Sequence, residues 1–144
     1  MNDLKSTREL INLDAFRMHF PAFPKGRLIK SESPDFILKT SQKYSIGIEL
    51  TSLPSPSYTI TGETVSSFLE DLQHSILKKE AKLKIYRGKK ANEYWLIIFA
   101  DVIDIKNVNY MELISGTNCN DFRKIFLFDL FNGIIHELSA RADK

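Results

Sequence analysis

A chain of 144 residues, 43% apolar and 26% charged, has the size and composition of one compact domain, which excludes a low-complexity or disordered polymer. Its formal charge of only +2 is far from the dense basic surface of a dedicated DNA-binding module. The longest apolar run, Tyr94 to Ala100, falls well short of the roughly 20 residues that span a bilayer. A lone cysteine, Cys119, permits neither an intramolecular disulfide nor a cysteine zinc site. With no apolar leader at its start, the chain is expected to be a cytoplasmic, non-membrane protein with one domain over residues 1–144.

Residues 4–20 are expected to form an amphipathic helix: Leu10, Leu13, Phe16 and Phe20 recur at three- and four-residue intervals, and Pro21 and Pro24 close the run. Short strands follow at Arg27–Lys30 and Asp35–Leu38. A polar turn near Thr40–Lys43 leads to a third strand, Ser45–Thr51, with Ile46, Ile48 and Leu50 on one face and Gly47, Glu49 and Thr51 on the other. Leu53-Pro54-Ser55-Pro56-Ser57 ends that strand in an irregular loop. Thr61 or Thr64 is expected to cap a second helix that runs to about Ala81. With Leu72 as the centre of its apolar stripe and about 100° per residue, Val65, Phe68, Leu69 and Ile76 fall within about 60° of the centre, and Lys79 lies about 20° from it. Tyr94–Ala100 has the near-continuous apolar character of a strand covered on both faces. Asp101 to Met111 shows no clear period; Lys124–Asp129 reads as another strand, and Ile134–Leu138 closes the sheet or starts a terminal helix. The order α-β-β-β-α-β with additions describes an α/β domain with a mixed central sheet flanked by helices.

Two acids stand out within this order. Asp35 opens one strand and Glu49 lies near the end of the next, so the turn between them brings both carboxylates to neighbouring strands. Glu49 shares its face with Gly47, which has no side chain to crowd it. A carboxylate embedded in Ile46-Gly47-Ile48-Glu49-Leu50 is costly to bury unless it is paired or binds a cation. Two such acids, a backbone carbonyl and waters form an oxygen-rich site suited to Mg²⁺ or Mn²⁺. A plainer account makes Asp35 a strand-start residue and leaves Glu49 on an open sheet face or paired with a lysine. The residues alone leave both accounts open.

Ser33-Pro34-Asp35-Phe36 followed, after a gap, by Ile48-Glu49-Leu50-Thr51 resembles the PD…(D/E)xK signature of the restriction-endonuclease-like nuclease superfamily. The longer stretches Glu32–Leu38 and Ile46–Thr51 are similar to small, uncharacterised bacterial members. The amphipathic helix after the hairpin and the apolar strand at Trp95–Phe99 suit that superfamily's core, so the resemblance covers residues 5–100, with its specific part in the hairpin. It implies one or two divalent metals, Mg²⁺ or Mn²⁺, held by Asp35, Glu49 and the Leu50 carbonyl, and metal-dependent hydrolysis of DNA or RNA phosphodiesters. In the signature, a lysine two residues after the Glu orients or activates the attacking water. Thr51 stands in that place, and a neutral hydroxyl supplies no positive charge.

Some members carry the lysine on the following helix, which makes Lys79 the expected third catalytic residue, with Lys82 second and Gln73 a weaker polar candidate. The plainer role for Lys79 is a lysine whose stem lies along the helix end while its ammonium reaches water. Glu9 on the first helix resembles a third acid of some members, against the plainer reading of an exposed helical glutamate. Lysines and arginines between 78 and 90 are the expected phosphate contacts. So small a chain is expected to draw specificity from a homodimer or a partner protein. The alternative is a catalytically inactive nuclease fold used as a binding or interaction module, which Thr51 and the modest charge favour.

Other residues carry weaker signals. His19, His74 and His136 have no ligand spacing, and Cys119 has no basic neighbours to activate it. Gly88 and Gly116 are isolated rather than part of a phosphate-binding loop. Asp101 and Asp104 are further candidate metal ligands, against the plainer reading of strand-end acids facing water.

Overall fold

The structure, a computed structural model, describes residues 2–53, 58–59, 65–86, 90–103 and 121–138. Its elements in chain order are α1 (Asn2–His19), β1 (Arg27–Lys30), β2 (Phe36–Lys39), β3 (Ser45–Ser52), β4 (Tyr58–Thr59), α2 (Val65–Tyr86), β5 (Glu93–Ala100), β6 (Val102–Ile103), β7 (Lys124–Asp129) and β8 (Ile134–Glu137). Six strands form a mixed sheet in the order β1-β2-β3-β5-β7-β8, and β4 and β6 make a small parallel ladder of their own. β1, β2 and β3 run antiparallel in succession, β3–β5 and β5–β7 are parallel, and β8 returns antiparallel to β7. This is a single α/β domain with α-β-β-β-α-β-β-β order around the large sheet.

β5 is the spine. It has a parallel neighbour on each side, and Tyr94 through Ala100 are all buried, as an apolar strand covered on both faces must be. Strand alternation then divides its side chains between the helices. Trp95, Ile97 and Phe99 join Leu13 and Phe16 of α1, together with Ile46, Ile48 and Leu50 of β3 and Phe126 and Phe128 of β7. Tyr94, Leu96, Ile98 and Ala100 face the other way, against Phe68, Leu72, Ile76 and Leu83 of α2. One helix therefore covers each face. On the α1 side the packing is aromatic: the Phe16 ring lies 5.1 Å from Phe126 and 5.8 Å from Phe128, near edge-to-face.

Two elements differ from the sequence expectation. α2 continues to Tyr86 rather than ending near Ala81, because Leu83 extends the stripe of Leu72 and Ile76 into the core and neither proline nor glycine interrupts 65–86. β2 spans Phe36–Lys39, so Asp35 stands just before the strand rather than opening it. Of the two alternatives for Ile134–Leu138, the sheet-closing strand is the one observed, with Phe128 opposite Ile135 and Leu127 opposite His136. The Thr61 or Thr64 cap and most of Asp101 to Met111 lie outside the described residues. Among the described residues no helix is long and apolar enough to cross a membrane.

Gly47 has a different consequence from the open space expected beside Glu49. It pairs with Tyr94 across the parallel ladder, and the Tyr94 ring occupies the room its missing side chain leaves. A Cβ at Gly47 would lie 2.6 Å from Tyr94 Cδ1 and 2.9 Å from Pro34 Cγ. Gly47→Ala should therefore destabilise the fold by about 1–3 kcal/mol, the usual cost of overpacking, read as a lower urea midpoint. An unchanged midpoint would mean that ring and proline move aside without cost.

Candidate functional site

The β2–β3 ladder ends at the Phe36–Ile48 pair, and its register continued by one residue sets Asp35 across from Glu49. β3 runs on through Ser52 beside β5. Just past the end of the shared ladder, the Leu50 N–H donates to Asp35 Oδ2 at 2.8 Å. The Asp35 carbonyl in turn accepts from the Ser31 N–H at 2.9 Å and from Lys30 Nζ at 3.3 Å. Asp35 is thus held from both sides, and only 7% of it is exposed.

Glu49 lies on the α2 face of β3 and is 1% exposed. Its Oε1 is 3.4 Å from Lys79 Nζ and 3.9 Å from Lys82 Nζ, and its Oε2 accepts from the Tyr86 hydroxyl. Lys79, Lys82 and Tyr86 lie three and four residues apart, on one face of a helix. Lys79 falls between Ile76 and Leu83 in the buried stripe, which aims its stem at the sheet. Burial raises the Glu49 carboxyl pKa above its ordinary value of 4.5; the Tyr86 hydrogen bond opposes that rise, the nearby Asp35 charge adds to it, and Lys79 and Lys82 oppose it. Burial, and then the hydrogen bond to Glu49, hold the Tyr86 hydroxyl far above the usual phenol range.

A cleft of about 270 Å³ opens at this end of β3. Asp35, Leu50, Thr51 and Ser52 line it from the sheet, Lys79 and Lys82 from α2, and Lys5, Arg8, Glu9 and Asn12 from α1. Because the two helices cover opposite faces, the cleft straddles the sheet with one helix on each side. The structure thus brings together Asp35, Leu50, Lys79 and Lys82 at the cleft, and Glu49 lies beneath it, joined to the lining through the two lysines. Thr51, at the signature's lysine position, also reaches the cleft.

The remaining candidates fall elsewhere. Glu9 lines the cleft but pairs with Lys30 at 3.4 Å. Gln73, His74 and Lys78 are exposed, and Lys84 lies 4.0 Å from Asp121. Arg87, Gly88, Lys89, Asp104, Gly116 and Cys119 lie outside the described residues. His19 Nδ1 is 2.8 Å from the Ala15 carbonyl. His136 Nε2 is buried without a partner among the described residues, and burial lowers that ring's pKa. The basic contribution is therefore two residues of the expected 78–90 run plus Lys5 and Arg8, which sequence reasoning did not single out. Tyr86 was missed because the helix was expected to stop short of it. The same 100° step carried past residue 81 puts Tyr86 about 40° from the stripe centre.

Asp35, Glu49 and the Leu50 carbonyl are hard oxygen donors of the kind Mg²⁺ and Mn²⁺ take, and Glu32 and Glu9 add further carboxylates to the cleft lining. Oxygen donors fit a small hard cation by type, which at Glu49 would share Oε1 with the Lys79 ammonium. Among the described residues no group of three or more His, Cys, Asp or Glu side chains is arranged to hold a metal, so the carbonyl and waters would have to complete the coordination. No family model matches the chain, and no curated protein and no solved structure proves similar to it.

The raised Glu49 pKa has a definite sign in stability. The folded chain keeps this proton to higher pH than the unfolded chain, so Glu49 favours folding below about 4.5, and that contribution is lost as pH rises through the folded value. In metal-free buffer, the stability of the wild type minus that of Glu49→Gln should fall as pH rises above the ordinary value of 4.5, as measured by urea unfolding. A flat or rising difference would contradict the assignment.

Proposed function

We propose that the chain is a restriction-endonuclease-like domain that hydrolyses nucleic-acid phosphodiesters with Mg²⁺ or Mn²⁺ bound by Asp35, Glu49 and the Leu50 carbonyl. One observation carries the reading: Asp35, Glu49 and Lys79, which come from the residue before β2, from β3 and from α2, converge at one end of the sheet, with Lys79 Nζ 3.4 Å from Glu49. The antiparallel β1-β2-β3 unit and the α2 crossover to parallel β5 support the finer assignment of the core.

A divalent ion bound there would supply Lewis acidity at a phosphoryl oxygen and a more acidic water. The chain's own residues do the rest. Asp35, tied to the Leu50 N–H, keeps the two strand ends in register and holds its carboxylate at the cleft. Lys79 supplies the positive charge that Thr51 lacks and lies where it can offset charge developing on the phosphate. Lys5 and Arg8 on the α1 side, with Lys82 on the α2 side, would hold backbone phosphates, which adds affinity without sequence choice. Specificity would then come from a second copy of the chain or a partner protein, and the lone cysteine suits a reducing cytoplasm.

A second reading is favoured by a specific observation. Both Glu49 oxygens are engaged, by Lys79 and by Tyr86, and Thr51 replaces the strand lysine, as in an inactive nuclease fold that binds without cutting.

Incubation with duplex and single-stranded DNA and RNA in Mg²⁺ or Mn²⁺ tests both. Cleavage is expected, abolished by chelator and by Asp35→Ala or Glu49→Ala, and lowered by about 100–1000-fold in Lys79→Met, the scale for losing one charge-stabilising group. Cleavage that persists in Glu49→Ala would place the activity elsewhere. Binding without cleavage would establish the second reading.

A further inference from the structure

Tyr86 ends α2 and is absent from every sequence-based reading of the site, yet its hydroxyl donates to Glu49 Oε2 while Lys79 and Lys82 take Oε1. The terminal torsion of a glutamate is broad and nearly two-fold, so its neighbours alone decide which oxygen of a buried carboxylate points where. The Tyr86 ring is itself held. Its centroid is 5.7 Å from that of Tyr94 at 74°, near edge-to-face. Tyr94 fills the space over Gly47 and accepts the Ala91 N–H on its hydroxyl at 3.1 Å. A line of support thus runs from Gly47 through Tyr94 and Tyr86 to one oxygen of Glu49.

We infer that Tyr86 is a positioning residue which, by holding Oε2, presents Oε1 of Glu49 to the cleft lysines and to a divalent cation. The inference rests on the cation-site reading above and adds to it the residue that orients the ligand. Hydrogen-bond partners of metal-ligating side chains typically change affinity when removed, because the ligand loses its orientation. Tyr44 serves as the internal control: it is a tyrosine just ahead of β3, away from the cleft, whose hydroxyl donates to Glu93 rather than Glu49.

The test measures free Mn²⁺ by electron paramagnetic resonance during titration of the full chain, at a temperature where circular dichroism shows each variant folded. Tyr86→Phe should weaken Mn²⁺ binding by about 10–100-fold, while Tyr44→Phe stays within about twofold of the wild type. Equal affinity of Tyr86→Phe and wild type, or the same loss in both variants, overturns the role of Tyr86 and leaves the cation site standing. Absence of Mn²⁺ binding by the wild type overturns the cation site and the role of Tyr86 with it. A second measurement does not depend on that variant folding. With 3-fluorotyrosine placed at position 86 of the otherwise unchanged chain, its fluorine resonance should move on saturation with Mg²⁺, and a resonance that stays in place overturns the inference.

Discussion

A carboxylate almost entirely shut away from water, on an interior strand, is the constraint around which the rest of this structure is arranged. Glu49 reaches no bulk solvent, and an isolated buried charge is costly enough that its surroundings must supply compensation. Here the compensation comes from a single helix, which delivers an ammonium to one oxygen and a phenol to the other. That requirement explains why α2 carries Lys79 inside an otherwise apolar stripe and why the helix runs on to Tyr86. It also explains why the strand tolerates Gly47: the aromatic support for Tyr86 needs the space.

The same constraint relates Thr51 to Lys79. A lysine two residues after Glu49 on the strand would point from the same face of the sheet. With threonine there, positive charge approaches from the helix instead, and the helix brings it to within 3.4 Å of Glu49. The charge that partners the acid is thereby set by helix rotation rather than strand alternation. Lys82 adds a more exposed, more distant cation at 3.9 Å, of the kind that contributes little on its own.

Where local period decides the outcome, the sequence was legible. Alternation in Ser45–Thr51 assigned Glu49 to the face opposite Ile46, Ile48 and Leu50, and the helical period placed Lys79 toward the sheet; both placements hold in the structure. Asp35 met Glu49 because a hairpin leaves little freedom in register. What escaped was tertiary. The hydroxyl of Tyr86 reaches Glu49 only because α2 packs along β3, a contact no local period announces. Lys5 and Arg8 carry no periodic signal that separates them from ordinary surface cations; their meaning comes from α1 lying beside the strand end. Gly47 announces space but not its occupant, since Tyr94 is 47 positions further along the chain.

That separation along the chain has a consequence for how the site comes into being. Asp35 and Glu49 belong to one hairpin and meet through a short loop, whereas Lys79 and Tyr86 reach them only once α2 has docked and β5 has paired with β3. Closing the longer, parallel connection is the slower kind of event. The hairpin by itself is therefore a pair of like charges, and the groups that compensate Glu49 come from a part of the chain far along in sequence. Because α2 is what makes the buried Glu49 tolerable, the end of the hairpin and the helix are expected to melt as one unit.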